Sequence, residues 1–159
     1  MHPWLLPALD YYRDPGVRDL QHALKRGSDA AAYLMALDMA PHVPHDAVLV
    51  PIPSSRGYGG AGLLLAEHLA ALTGCRVADV LRGRPRESLH ALKKIGVDPT
   101  RVDLGFHLVG SLPLGTPVLV DNVLSSGHTA REARRVLLNA LVLVHAVDPN
   151  PPVWRWVQS

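Results

Sequence analysis

VLVDNVLSSGHT, from Val118 to Thr129, is an apolar run that turns abruptly small and polar. A short β-branched run bounded by Pro117 and followed by such residues is the pattern of a parallel strand buried on both faces. It predicts a strand over Val118 to Val120, with Asp121 and Asn122 at its carboxyl end. Open α/β sheets bind ligands in the crevice outside that end. The next helix is predicted to open near Thr129, because TAREARRVLLNA carries apolar residues at helical spacing and Thr129 and Glu132 stand as a capping box. Between strand and helix lies a cradle of phosphate size. Ser125, Ser126 and Thr129 offer hydroxyls, Gly127 lets the backbone turn closely, and the helix N-terminus presents unpaired N–H groups to an anion. His128, once protonated, would add a donor there.

Working outward, helical and strand patterns alternate, which predicts an α/β fold with a largely parallel central sheet flanked by helices. Val17 to Arg26 reads as a helix with Val17, Leu20 and Leu24 on one side and Gly27 as its C-terminal cap. Ser28 caps a second helix through Met39. Ala47 to Ile52 is the first apolar strand, Ala61 to Leu72 a helix stopped by Gly74, Arg76 to Leu81 a second strand, Phe106 to Val109 a short strand and Leu141 to Val147 the last. Arg82 to Arg101 holds six Arg and Lys against Glu87 and Asp98 and has no sustained apolar period. It is expected to be a long loop, either a solvated surface, a nucleic-acid contact or a lid. As a lid over residues 82–104, its Arg84, Arg86, Lys93 and Lys94 would find anionic partners in bound phosphates.

A second small-residue loop follows the first strand, in VPIPSSRGYGGAG from Val50 to Gly62. Ser54, Ser55, Gly57, Gly59 and Gly60 leave backbone accessible, and Arg56 brings a permanent charge suited to bidentate phosphate contact. This is a candidate pyrophosphate loop. Gly57, Gly59 and Gly62 also spell GxGxxG, with Asp79 near the end of the next strand, which keeps a dinucleotide-binding enzyme as a third reading. Against it, Pro53, Ser54, Ser55 and Arg56 separate the strand from the first glycine, and the Val118 to Thr129 stretch is left unused.

Composition bounds these readings. With 159 residues, 48% hydrophobic, the chain suits one core, so residues 1–159 are expected to form one domain. Cys75 is alone, so no intramolecular disulfide and no Cys-rich zinc site are expected, and a reducing cytoplasm suits the chain. His42, His45 and Asp46 outline a metal cluster, but nine histidines make a chance pair ordinary, and no metal site is expected. MHPWLLPALDYYRDPG has no basic leader and is broken by Pro3 and Pro7, so no signal peptide or membrane contact is expected. A formal charge of +2 permits single-stranded DNA binding without demanding it. Trp4, Tyr11, Tyr12, Trp154 and Trp156 are placed to form a hood over the strand tips, where a base would stack.

Val118 to Thr129 resembles the signature of the type I phosphoribosyltransferases: apolar residues, two adjacent acids, two apolar residues and a Thr/Gly-rich loop. The likeness implies that fold, with Asp121 and Asn122 as the catalytic pair on the ribose hydroxyls and Ser125, Ser126, Gly127, His128 and Thr129 on the 5′-phosphate. Asn122 departs from the pattern, since the second residue there is an acid. An amide in its place brings no charge to a developing ribosyl cation. The segment Tyr12 to Ala40, together with Arg56, Gly57 and Tyr58, is similar to the ComF-type competence-associated phosphoribosyltransferases. That family's amino-terminal zinc ribbon has no counterpart here, and its usual Asn after the aromatic is Gly59.

The resemblance implies a ligand that is phosphoribosyl pyrophosphate, carrying its own Mg2+, or a nucleoside monophosphate, with ribosyl phosphate transferred to a nucleobase. Its second implication is an alternative, a catalytically weak ligand-binding protein serving DNA uptake through competence partners such as a helicase. A second copy of the chain is a further partner to test.

Overall fold

The structure is a computed structural model and describes residues 3–148. Its centre is a five-stranded, wholly parallel sheet built from β1 (Leu9–Asp10), β2 (Ala47–Pro51), β3 (Arg76–Val77), β6 (Thr116–Leu124) and β7 (Leu141–Val147). The strands lie in the order β1-β7-β6-β2-β3. The helices are α1 (Val17–Lys25), α2 (Asp29–Met39), α3 (Ala61–Thr73), α4 (Leu89–Lys94) and α5 (His128–Val136). The expected α/β fold, a parallel sheet flanked by helices, is the observed one. Val118, Val120, Leu49 and Leu143 bury themselves under α2 and α3, while Val48, Val50, Leu119, Val142 and Val144 meet Ala130 and Ala133 of α5 on the other face. Each strand alternates its side chains between these layers, which is why the central strands read as continuous apolar runs.

Local signals placed most elements well. Ser28 Oγ accepts the Ala31 N–H at 3.1 Å and opens α2. Gly74, with φ 76°, closes α3. Five expectations are corrected. β6 is longer than Val118 to Val120: Val123 and Leu124 continue the ladder against Ala146 and Val147, so Asp121 and Asn122 lie inside the strand. α5 starts at His128 with Gly127 as its N-cap at φ 80°, a conformation glycine adopts freely, so Thr129 and Glu132 form no capping box. It ends at Val136 rather than Ala140, and Asn139 takes the following turn at φ 66°.

The strand expected over Arg76 to Leu81 is two strands in two sheets. Val80 N–H bonds the Ala78 carbonyl at 2.9 Å, a three-residue turn that breaks the run, and β4 (Leu81–Arg82) then pairs antiparallel with β5 (His107–Leu108). Nor is Arg82 to Arg101 structureless. Ser88 Oγ accepts the Ala91 N–H at 3.1 Å to start α4, and Asp98 caps a 3-10 turn over Pro99–Arg101. Both caps are visible in the sequence. Among the described residues no helix is long and apolar enough to cross a membrane.

α3 approaches the sheet most closely at Gly62. A Cβ there would lie 2.7 Å from the Val120 carbonyl oxygen and 2.8 Å from that of Ile52. Gly62→Ala should therefore destabilise the fold by about 1–3 kcal/mol, the usual cost of overpacking. Urea unfolding checks this through a lowered midpoint at unchanged slope.

Candidate functional site

A cavity of about 300 Å³ opens at the carboxyl end of β6, on the α5 side of the sheet. Ile52, Val123, Val142 and Val144 give it an apolar floor, and Ser125, Ser126, Gly127 and Thr129 form one wall. Asp121 faces in from β6. Leu89, His90 and Lys93 of α4 with Asp98, Pro99 and Thr100 form the roof, and Asp148 closes the rim. The crevice predicted at the strand tips is thus present, with the expected wall of small residues and a roof from the charged segment.

Asp121 accepts the Asn122 N–H at 2.8 Å. Burial nevertheless raises its pKa to about 6, against the lowering by that hydrogen bond and by the Arg86 charge. Asn122 does not join it. Strand alternation sends the next side chain through the sheet, where Asn122 Nδ2 donates to Gln21 Oε1 at 2.9 Å. Of the two residues expected on a ribose, the cavity receives one.

His128 departs from expectation too. It is buried, 4% exposed, and its Nε2 donates to the Val102 carbonyl at 2.8 Å. The imidazole therefore fastens the 82–104 segment to α5 and does not line the cavity. Ser126 Oγ accepts the His128 N–H at 3.4 Å, which shapes the loop from within.

The loop of Ser54, Ser55, Arg56, Gly57, Gly59 and Gly60 sits on the neighbouring strand tip and is absent from the cavity lining. Its polar groups bond one another: Ser54 Oγ donates to the Tyr58 carbonyl at 2.7 Å, and the Ser54 and Gly57 N–H groups reach the Gly59 and Ser54 carbonyls. Arg56 stacks over the Tyr58 ring, 5.2 Å from its centroid. Two of its glycines serve close packing. A Cβ on Gly57 would lie 2.3 Å from the Gly83 carbonyl oxygen, and one on Gly60 would lie 2.5 Å from Ser54 Cβ.

Among the expected lid cations only Lys93 lines the cavity. Arg84 pairs with Asp103 at 3.2 Å, and Arg82 with Asp79 at 3.0 Å. Arg86 is half-buried, which lowers its pKa, while nearby Asp121 favours its charge. Lys94 is not among the lining residues. Of the hood, Trp4 is a core residue instead: it is 6% exposed, bonds Val142 at the start of β7 and carries Arg134 over its ring at 4.7 Å. Tyr11 and Tyr12 pack edge to face beyond β1, and Trp154 and Trp156 lie outside the described residues. Among the described residues no group of three His, Cys, Asp or Glu side chains is placed to hold a metal ion.

Sequence reasoning missed Gln21, Asp38 and His145, which meet beneath Asn122 on the helix side of the sheet. A histidine inside an apolar strand pattern, with Gln21 one turn from Leu24 and Val17, was the available signal. It also missed Asp98 and Thr100 in the roof. Compared with protein-family models and with curated proteins, the chain matches none.

Holding Asp121 ionised costs stability. Between 3.8 and about 6 the unfolded chain releases this proton while the folded chain keeps it, so stability falls as pH rises through that window. Asp121→Asn should therefore be more stable than the parent at pH 8, by up to about 3 kcal/mol, with the advantage gone at pH 4. Urea midpoints of the two proteins at both pH values check it.

Proposed function

We propose that the chain is a phosphoribosyltransferase-like protein that binds phosphoribosyl pyrophosphate or a nucleoside monophosphate in this cavity. One observation carries the reading: Asp121, the Ser125 to Thr129 loop and Lys93 border a single cavity at the carboxyl end of a central parallel strand. Backbone N–H groups at the start of α5, with the Ser126 and Thr129 hydroxyls, suit a phosphate monoester. Asp121 suits a ribose hydroxyl beside it, and Lys93 adds a cation from above. Mg2+ would arrive with the pyrophosphate, with Asp121 the carboxylate facing it. A volume of about 300 Å³ is at the small end for ligand sites, which favours a phosphorylated sugar over a dinucleotide. Close packing at Gly57 and Gly62 and the positive φ of 59° at Gly59 account for the GxGxxG without a cofactor.

In transfer to a nucleobase, Asp121 would steady the ribose as positive charge develops at its anomeric carbon. A second reading, a ligand-binding protein with weak turnover acting in the cytoplasm through competence partners, is favoured by a specific observation. Asn122 bonds Gln21 and leaves one carboxylate where the family pattern has two acids. The Arg82 and Arg84 ion pairs leave less of the charged segment available for single-stranded DNA than its composition suggests.

Calorimetry tests the proposal. Both magnesium phosphoribosyl pyrophosphate and a nucleoside monophosphate should bind and be displaced by inorganic phosphate. Lys93→Ala should weaken binding about tenfold, equivalent to about 1.4 kcal/mol. Folded protein giving no heat at millimolar ligand sinks the reading. Binding without product, across the common nucleobases, selects the second one.

A further inference from the structure

Beneath the sheet, four side chains form a continuous hydrogen-bonded series from the surface to the cavity strand. His145 Nε2 meets Asp38 Oδ2 at 2.8 Å, Gln21 Nε2 lies 3.5 Å from His145 Nδ1, and Asn122 Nδ2 lies 2.9 Å from Gln21 Oε1. Gln21 and His145 are each 1% exposed, whereas the Asp38 side chain is 47% exposed. Beyond Asn122, its own N–H reaches Asp121 Oδ1 at 2.8 Å.

Each bond constrains the next. Asp38 as a carboxylate only accepts, so His145 Nε2 carries a proton, and in the neutral tautomer Nδ1 accepts. Gln21 must then aim its NH2 at His145, and from there it also donates to the Asn122 carbonyl at 3.4 Å. Its Oε1 is left facing Asn122, which must donate. A protonated His145 inverts the series: Nδ1–H needs the Gln21 oxygen, the Gln21 NH2 turns to Asn122, and Asn122 must present its oxygen. Among the described residues Asp38 of α2 is the titratable side chain bonded to His145; α1 presents Gln21, β6 presents Asn122, and Asp121 projects from the opposite face.

We propose that Asn122 is the inner end of a proton-sensitive relay, Asp38–His145–Gln21–Asn122, in which the amide at 122 is matched to neutral His145. Gln21 and His145 are then positioning residues for Asp121, acting through the Asn122 backbone. An acid at 122 would have no donor for Gln21 and would hold His145 as imidazolium. On this inference Asn122→Asp does not supply a second ribose ligand. The inference rests on the hydrogen-bond geometry and is independent of which ligand fills the cavity.

NMR pH titration of the intact protein tests it. In the parent protein the Asn122 side-chain amide should shift with the same midpoint as the His145 ring nitrogens. In Gln21→Met that linkage should be lost while His145 still titrates. In Asn122→Asp the His145 midpoint should move upward. If that variant does not fold, the parent and Gln21→Met titrations decide. An Asn122 amide indifferent to His145, a His145 that never titrates before acid unfolding, or an unmoved midpoint in folded Asn122→Asp overturns the relay. So does an Asn122 side-chain amide that inorganic phosphate shifts while His145 stays still.

Discussion

β6 is paired along both edges as far as Val120, with β2 up to Pro51, and continues along β7 to Leu124, and this register fixes where its central side chains point. A strand held on both sides has no freedom to rotate one residue, since a slip would move the whole apolar set to the wrong layer. Asp121 is consequently committed to the α5 side and Asn122 to the α1 side. Toward the end of the strand consecutive residues converge on one space, and Val123, Leu124, Ser125, Ser126 and Gly127 all border the cavity. The site therefore has two parts of different character: one rigid carboxylate set by the sheet, and a loop whose shape is set by a left-handed glycine and the helix it opens.

The same geometry explains why the two sides of β6 treat polar groups differently. On the helix side Asn122, Gln21 and His145 satisfy one another, which is the condition for leaving polar atoms inside an apolar layer. On the cavity side Asp121 has one backbone donor and the Arg86 charge, too little to offset burial, so its carboxyl is biased toward the neutral form. An incompletely compensated charge next to a cavity is what a ligand-binding surface requires. A carboxylate whose hydrogen bonds were all met within the protein would have nothing to offer a hydroxyl.

The parallel sheet and its helices were legible because buried parallel strands and capped helices carry local signals: Ser28, Gly27, Gly74 and the apolar runs at 47–52, 118–120 and 141–147. The wall from Ser125 to Thr129 was legible for the same reason. What the chain did not announce were choices made by tertiary pairing. The extension of β6 through Val123 and Leu124 depends on a partner, β7, whose register no local pattern specifies. Asn122 looked like half of a pair because adjacency in sequence suggests adjacency in space, an inference that fails inside a strand of period two. His128, expected as a donor in the phosphate loop, is turned instead to the Val102 carbonyl, 26 residues away in sequence. Trp4 resembled part of a hood because its bond to Val142 at the opposite end of β7 is likewise non-local.

The small-residue loop after β2 gains a purpose from these attachments. Gly83 N–H bonds the Gly57 carbonyl at 2.9 Å and Arg86 N–H bonds the Ser55 carbonyl at 2.8 Å, so this loop is the dock for the start of the charged segment. His128 fastens the same segment near its end, through Val102. Between these points α4 has no buried residue, and its six residues are too few to be stable alone. The cavity thus has firm walls and floor, held by the sheet and by both docks, beneath a roof whose middle is held by little besides its own cap. Lys93 and His90 hang from that middle. Regions with so few buried contacts are the ones that open at least cost.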